Sequence, residues 1–278
     1  VPLGVAGPVQ AVYWRRPITT ASRRPMAFPD IAGLQQAEAC AACLEAVESL
    51  PDTCFPRGRP AHLQSGANKL RQLRAAVRVG FTVPETLVSN DPETLRAFLR
   101  RHERVVVKPL RHAVIHDTHD RSRVVSPLFT RVLENRSLES RLLGLDRAQL
   151  LLQAYVPKHR DLRIVVLPQS LFACEIDTSK LPADAADWRT AMAELPHRSI
   201  SLPEGMEQRL RSFLRMLDLK AGFFDFGIDP AGQIFFFECN TNAEWLWVEQ
   251  RAGLPISAAI ARCLANPDTQ VRRENAPA

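Results

Sequence analysis

The stretch Ala221 to Glu249, AGFFDFGIDPAGQIFFFECNTNAEWLWVE, constrains the chain more than any other. Two Phe- and Ile-rich runs alternate with period two around Asp229-Pro230-Ala231-Gly232, with Pro and Gly where a type I turn wants them, and so predict a β-hairpin. On the first run Phe223, Asp225, Gly227 and Asp229 share a face. On the second, Ile234, Phe236, Glu238 and Asn240 share one face, and Phe235, Phe237 and Cys239 point the other way. Setting Asp229 against Gly232 sets Asp225 against Phe236 and makes Glu238 its diagonal neighbour. Two carboxylates and an amide oxygen then converge at one end of the hairpin. Hard oxygen ligands of this kind suit Mg2+ holding nucleotide phosphates. The plain alternative is a solvated acidic face.

At 278 residues, with 46% hydrophobic and 24% charged content, the chain can build one large or two modest domains with a real core. No apolar run approaches the roughly 18 residues of a membrane span, so no membrane partner is expected. The start, VPLGVAGPV, lacks the basic n-region of a signal peptide, and Val1 in place of Met is read as a trimmed or partial N-terminus. Net charge is +6, carried almost wholly by scattered arginines that build no nucleic-acid footprint, so no nucleic-acid partner is expected. Cysteines at 40, 43, 54, 174, 239 and 263 fit neither a disulfide framework nor a paired zinc knuckle, which makes a reducing cytoplasm the default.

In chain order, Val9 to Trp14 looks strand-like, followed by Arg-Arg-Pro at 15 to 17 and again at 23 to 25. A helix is expected over Gly33 to Leu50. A second, over Asn68 to Gly80, carries apolar residues at 70, 73, 76 and 77 as its inward stripe. Asp91-Pro92-Glu93 caps another, ending near His102. Arg104 to Leu110 reads as a central strand carrying Lys108. The run from Arg111 to Leu133 reads as a polar loop, with His112, His116, His119 and Asp120 in no specific metal spacing. Strands follow at Leu150 to Val156, Leu162 to Leu167 and Phe172 to Asp177. Helices are expected over Glu204 to Leu217, with Leu210, Phe213, Leu214 and Leu217 inward, and over Pro255 to Ala265. Residues 266 to 278 read as a disordered tail.

The run Glu238 to Glu249, ECNTNAEWLWVE, followed by GLPISAAIA, resembles the end of an ATP-grasp ligase domain. It is most similar to the microviridin-type (graspetide) ligases that crosslink ribosomal peptides. The order N-K-L, G-x-x-V-P-E-T and V-V-x-K-P-L resembles the small subdomain of the same fold, and V-Y-W-R-R-P the end of its pre-ATP-grasp domain. The resemblance implies an α+β ATP-grasp fold whose two lobes clasp the nucleotide. It implies a truncated pre-ATP-grasp remnant at 1–60, a small subdomain at 61–152 and a large subdomain at 153–265. Among site residues, it implies metal ligation by Asp225, Glu238 and Asn240, and nucleotide binding by Lys69, Lys108, Gln153, Tyr155, Val156 and Asp161. Arg163 would contact the γ-phosphate and Arg189 would orient a substrate carboxylate. Glu175, Asp177 and Asp187 would face the peptide or its leader.

The activity so implied is ATP- and Mg2+-dependent activation of Asp or Glu side chains as acyl phosphates, with capture by Ser, Thr or Lys. Mn2+ would substitute for Mg2+, the partner would be a precursor peptide with leader and core, and the enzyme would be a homodimer. A small-amino-acid or glutamate-adding ligase of the glutathione synthetase type is the alternative, and a non-catalytic nucleotide-binding regulator a third. No Walker loop, Rossmann fingerprint or nucleophile elbow competes.

Overall fold

The computed structural model describes residues 8–15, 31–110, 114–116, 124–127, 131–134, 149–181 and 195–266. Three helices come first, α1 (Ile31–Glu48), α2 (Pro60–Gly66) and α3 (Lys69–Arg78). They are followed by β1 (Thr86–Ser89), α4 (Pro92–Arg101), β2 (Arg104–Lys108), β3 (Val114–His116), β4 (Val124–Pro127), β5 (Arg131–Glu134) and β6 (Leu150–Ala154). The second half holds β7 (Arg160–Leu167), β8 (Ser170–Asp177), β9 (His197–Ser199), α5 (Met206–Met216), β10 (Gly222–Ile228), β11 (Ile234–Asn240), α6 (Leu246–Ala252) and α7 (Ile256–Ala265). The architecture is α+β. Among the described residues, no helix is long and apolar enough to cross a membrane.

Two antiparallel sheets organise the chain. The smaller has the order β1-β6-β2-β5 and is backed by α4, whose Leu95, Phe98 and Leu99 pack on Val105 and Leu152. Helix α4 starts where the sequence expects it: the Asp91 carboxylate accepts the Thr94 N–H at 2.8 Å, Pro92 sits in the first turn and Arg100 and Arg101 in the last. In place of a loop after β2, the short strands β3 and β4 pair as a ribbon, with His116 in β3. His112, His119 and Asp120 lie outside the described residues, as do Asp187, Arg189 and the tail beyond 266.

The larger sheet has the order β11-β10-β7-β8-β9. One face carries Leu162, Ile164, Val166, Phe224, Phe226 and Phe236, covered by α5 through Leu210, Phe213 and Leu214. The other carries Val165, Leu167, Cys174 and Phe223, covered by Val248 of α6 and Ile256, Ala259 and Ile260 of α7. Helices α2 and α3, expected at the start of the small subdomain, supply Leu63, Ala75 and Ala76 to the core of this larger sheet instead.

Three local expectations are corrected. Val9 to Trp14 joins no sheet, although the Val12 N–H bonds the Cys54 carbonyl at 2.7 Å. Helix α3 keeps only part of its expected stripe inward: Ala76 is buried and Leu73 packs against the core, but Leu70 and Val77 are 41% and 58% exposed, and Gln72 and Ala75 are buried in their stead. Its small side chains, Ala75 and Ala76, pack on the core of the larger sheet, and Gln72 bonds β11. The third correction concerns the hairpin. Asp229 pairs with Gln233, and Gly232, at φ +85°, closes a three-residue turn. Phe226 then pairs with Phe236, but Asp225 pairs with Glu238, so Phe237 is the extra residue of a β-bulge. A one-residue slip reverses the face of everything beyond it. Phe236 therefore joins the core face with Cys239, and Glu238 stands directly opposite Asp225 rather than diagonal to it.

Gly222 of β10 lies where a Cβ would stand 2.7 Å from Cys239 Sγ and 2.8 Å from Leu214 Cδ2. Gly222→Ala is expected to cost about 1–3 kcal/mol by overpacking. The urea midpoint should fall with an unchanged m-value; an unchanged midpoint would show that the packing there has slack.

Candidate active site

Strand alternation puts Asp161 and Arg163 of β7, Asp225 of β10, and Glu238 and Asn240 of β11 on the face of the larger sheet that also carries Val165 and Phe223. The bulge makes this possible, since without it Glu238 and Asn240 could not both follow Phe236 onto the opposite face. The Asn240 amide donates to Asp225 Oδ2 and to Glu238 Oε1, each at 3.0 Å. Arg163 Nη1 donates to Asp225 Oδ1 at 2.5 Å, and its Nη2 reaches the Glu244 carbonyl at 3.4 Å. Its guanidinium also lies 5.8 Å from the Trp247 ring. Arg163 Nε is buried with no hydrogen-bond partner among the described residues.

From the smaller sheet, Lys108 at the end of β2 reaches this face, its ammonium 5.3 Å from the centroid of the Phe237 ring. Lys158, just before β7, lies 5.9 Å from the same ring and pairs with Asp161. The bulged Phe237 thus lies near two ammonium groups, and it can pack over β10 because Gly227 has no Cβ; one would sit 2.6 Å from the ring. Lys69 begins α3 and donates to the Pro109 carbonyl at 2.6 Å. Burial pushes the Lys69 ammonium below its ordinary range, against the pull of Glu238. Burial pushes Lys108 down to about 8, and the positive charges of Lys69 and Lys158 add to the effect while Glu238 and Asp225 oppose it.

Among the described residues, no three His, Cys, Asp or Glu side chains cluster. The oxygen set is instead two carboxylates with Asn240 between them. Its donor chemistry fits a hard divalent cation: an N–H donor now lies between two carboxylate oxygens, and rotation of the amide would turn its own oxygen to the same point. The orphaned Arg163 Nε beside it fits an anionic oxygen.

The remaining sequence candidates separate. Gln153 is buried in β6 and bonds Thr86 at 3.0 Å. Tyr155 gives its N–H to the Arg104 carbonyl, with the Arg104 guanidinium 3.9 Å over its ring, and Val156 is buried beside it. Glu175 and Asp177 do not join the site. By register they lie on the opposite face of the larger sheet, and Glu175 is buried between Arg160 at 3.2 Å and Arg198 at 2.6 Å. The alternation that puts Cys174 beside Arg163 necessarily turns Glu175 away.

Two residues at the site were missed in the sequence, Gln72 and Arg57. Gln72 Oε1 accepts the Cys239 N–H at 2.9 Å, and its Nε2 donates to the Cys239 and Gly66 carbonyls, each at 2.7 Å. Arg57 Nη2 donates to the Thr241 carbonyl at 2.5 Å. No motif flags either; a polar residue at α3's inward position is the only available signal for Gln72.

The family model for the prokaryotic glutathione synthetase ATP-grasp domain matches residues 73–233. That is more than half of the chain, and the chain belongs to the ATP-grasp family. Its fold is similar to that of the macrocyclase MdnC bound with precursor peptide MdnA from Microcystis aeruginosa MRC, with a TM-score of 0.72 and 25% identity over 88% of this chain and 75% of that one. A Chryseobacterium gregarium RiPP-associated ATP-grasp ligase in complex with ADP and a leader and core peptide matches with a TM-score of 0.72 and 25% identity, over 89% of this chain and 72% of that one. The D-alanyl-alanine synthetase A of Vibrio cholerae shares the fold at 14% identity and a TM-score of 0.51, over 84% and 71% of the two chains. No curated protein gives a significant match. By family and by its likeness to these ligases, this chain is an ATP-grasp ligase.

Lys108 gives a pH test. In the nucleotide-free protein its ammonium is half charged near pH 8, mostly charged by pH 7 and mostly neutral by pH 9. A phosphate bound beside Lys108 would favour the charged form, and binding above pH 8 would then take up a proton. ATP affinity should therefore fall by up to about tenfold per pH unit above 8. Calorimetry at pH 8.5 in buffers of differing ionisation enthalpy should register the proton uptake, and Lys108→Arg, charged throughout, should remove the Lys108 share of it. Affinity flat from pH 7 to 9.5 in the parent would contradict this placement of Lys108.

Proposed function

We propose that the chain is an ATP- and magnesium-dependent ligase that crosslinks the side chains of a ribosomally made precursor peptide. Asp225, Glu238 and Asn240 would hold the metal, which supplies charge neutralisation at the β- and γ-phosphates when bound. Lys69 and Lys108 address the phosphates from α3 and β2. Arg163 is already oriented by Asp225 and offers its unpartnered Nε–H to the transferring phosphoryl group. Mn2+ is proposed to substitute, because it accepts the same hard oxygen donors. Arg189 keeps its proposed role at the substrate carboxylate on sequence resemblance alone.

The reaction proceeds in two displacements. A carboxylate oxygen of the peptide attacks Pγ, the bond from Pγ to the bridging oxygen breaks, and ADP leaves. A Ser or Thr hydroxyl or a Lys amine then attacks the acyl carbon. The bond to the phosphate oxygen breaks, inorganic phosphate leaves, and the nucleophile's proton passes to solvent. The peptide loses one water per link.

The observation that carries this reading is the likeness to two peptide-bound ligases over nearly nine-tenths of this chain, against a weaker likeness to a dipeptide synthetase. The glutathione synthetase description of the family model favours a second reading, ligation of free amino acids. Candidate peptides from neighbouring reading frames, rich in Ser, Thr or Lys and in Asp or Glu, are incubated with enzyme and Mg-ATP. Mass spectrometry is expected to show one water lost for each ADP formed. Intact peptides, alongside efficient joining of free amino acids, would favour the second reading.

Glu238→Gln removes one charge without changing shape. It is expected to leave the fold intact and to lower ATP turnover by on the order of 100-fold or more. Turnover at the parent rate would exclude Glu238 from metal binding.

A further inference from the structure

β11 is an edge strand of the larger sheet, so its outward backbone groups must find partners outside the sheet; the Phe236 N–H finds the Thr82 carbonyl at 2.8 Å. The side-chain amide of Gln72 answers them at one peptide unit as a neighbouring strand would, accepting from the Cys239 N–H at 2.9 Å and donating to the Cys239 carbonyl at 2.7 Å. Only a carboxamide offers both a donor and an acceptor in that geometry. Two residues on, Arg57 Nη2 donates to the Thr241 carbonyl at 2.5 Å, and the Thr241 hydroxyl donates to the Leu63 carbonyl at 2.9 Å. Arg57 is itself buried, with its guanidinium 5.2 Å from the ring centroids of both Tyr13 and Phe223. Asn240 is the residue between these two grips.

We propose that Gln72 and Arg57 are positioning residues that set the geometry of the divalent-metal site by clamping the backbone on both sides of Asn240. The inference rests on the assignment of Asp225, Glu238 and Asn240 to the metal. It gives the segment before β1 a specific task. Gln72 comes from α3, Arg57 from the turn after Cys54, and Tyr13, which flanks Arg57, from the N-terminal strip. None belongs to the two sheets that face each other at the site. The clamp acts on Asn240 and through it on Glu238, because the Asn240 amide bonds Glu238 and Asp225 alike. A shift of about 1 Å at a ligand is enough to spoil a site of this kind.

The test measures coupling between metal and nucleotide rather than turnover. ATP affinity is measured by calorimetry with EDTA and with saturating Mg2+ for the parent, Gln72→Leu, Gln72→Glu and Arg57→Lys. Gln72→Glu keeps the acceptor and loses the donor; Arg57→Lys keeps the charge and loses the fork. Both milder variants keep the test open where Gln72→Leu fails to fold. Affinity for metal-free ATP is expected to stay within about twofold of the parent, while the gain from Mg2+ falls at least about tenfold. Electron paramagnetic resonance with Mn2+ alone should show the same weakening. A merely structural role would lower the melting temperature and leave the gain from Mg2+ intact, which would overturn the proposal. A parent that binds ATP equally with and without Mg2+ would overturn the metal assignment, and the proposal with it.

Discussion

Two carboxylates on adjacent strands, partly withdrawn from water, repel one another by on the order of a few kcal/mol unless positive charge lies between or beside them. Asp225 and Glu238 stand in that relation, and much of the surrounding structure answers it. Arg163 neutralises Asp225 from the neighbouring strand, and the Asn240 amide spans both acids. Lys69 and Lys108 bring charge from outside the sheet and lose basicity to burial in doing so. A cluster so arranged is poised for ligands that add charge of both signs at once, which a metal-nucleotide complex does.

The larger sheet is built to keep this cluster in place. Its opposite face is a stack of phenylalanines in which Phe81, Phe213, Phe224, Phe226 and Phe236 meet at ring centroid distances between 5.1 and 6.5 Å. Rings so packed leave little freedom to slide one strand past the next. Register is thereby held, and with it the bulge that brings Glu238 opposite Asp225. The same bulge exposes the face of Phe237 to Lys108 and Lys158, so one inserted residue serves both the metal ligands and the phosphate cations.

Much of this was legible in the sequence because the signals were local. The Asp91-Pro92 cap, the alternation around Asp229 and Gly232, and lysine so scarce that Lys108 stands out in an apolar strand each carry their meaning within a few residues. The family resemblance then linked the pieces in order. What escaped depends on contacts distant in sequence. A bulge leaves no local mark in FFFEC, since any of three phenylalanines could be the extra residue. The apolar stripe of helix α3 runs through 70, 73, 76 and 77 in the sequence, but β11, over 150 residues away, draws in Gln72 and leaves Leu70 and Val77 exposed. The resemblance sets Glu175 toward the peptide or its leader; parity within β8, visible only once Cys174 is set against Arg163, turns it to the face opposite Asp225 and Glu238.

In the proposed function a divalent cation and the nucleotide phosphates share one site between Asp225, Glu238 and Asn240 on one sheet and Lys108 on the other. Anomalous scattering from crystals grown with Mn2+ and a non-hydrolysable ATP analogue addresses it directly. The expected result is a manganese peak bounded by the Asp225, Glu238 and Asn240 oxygens, with the analogue's phosphates between it and Lys108. Manganese bound elsewhere on the chain, or phosphates seated away from Lys108, would contradict the account.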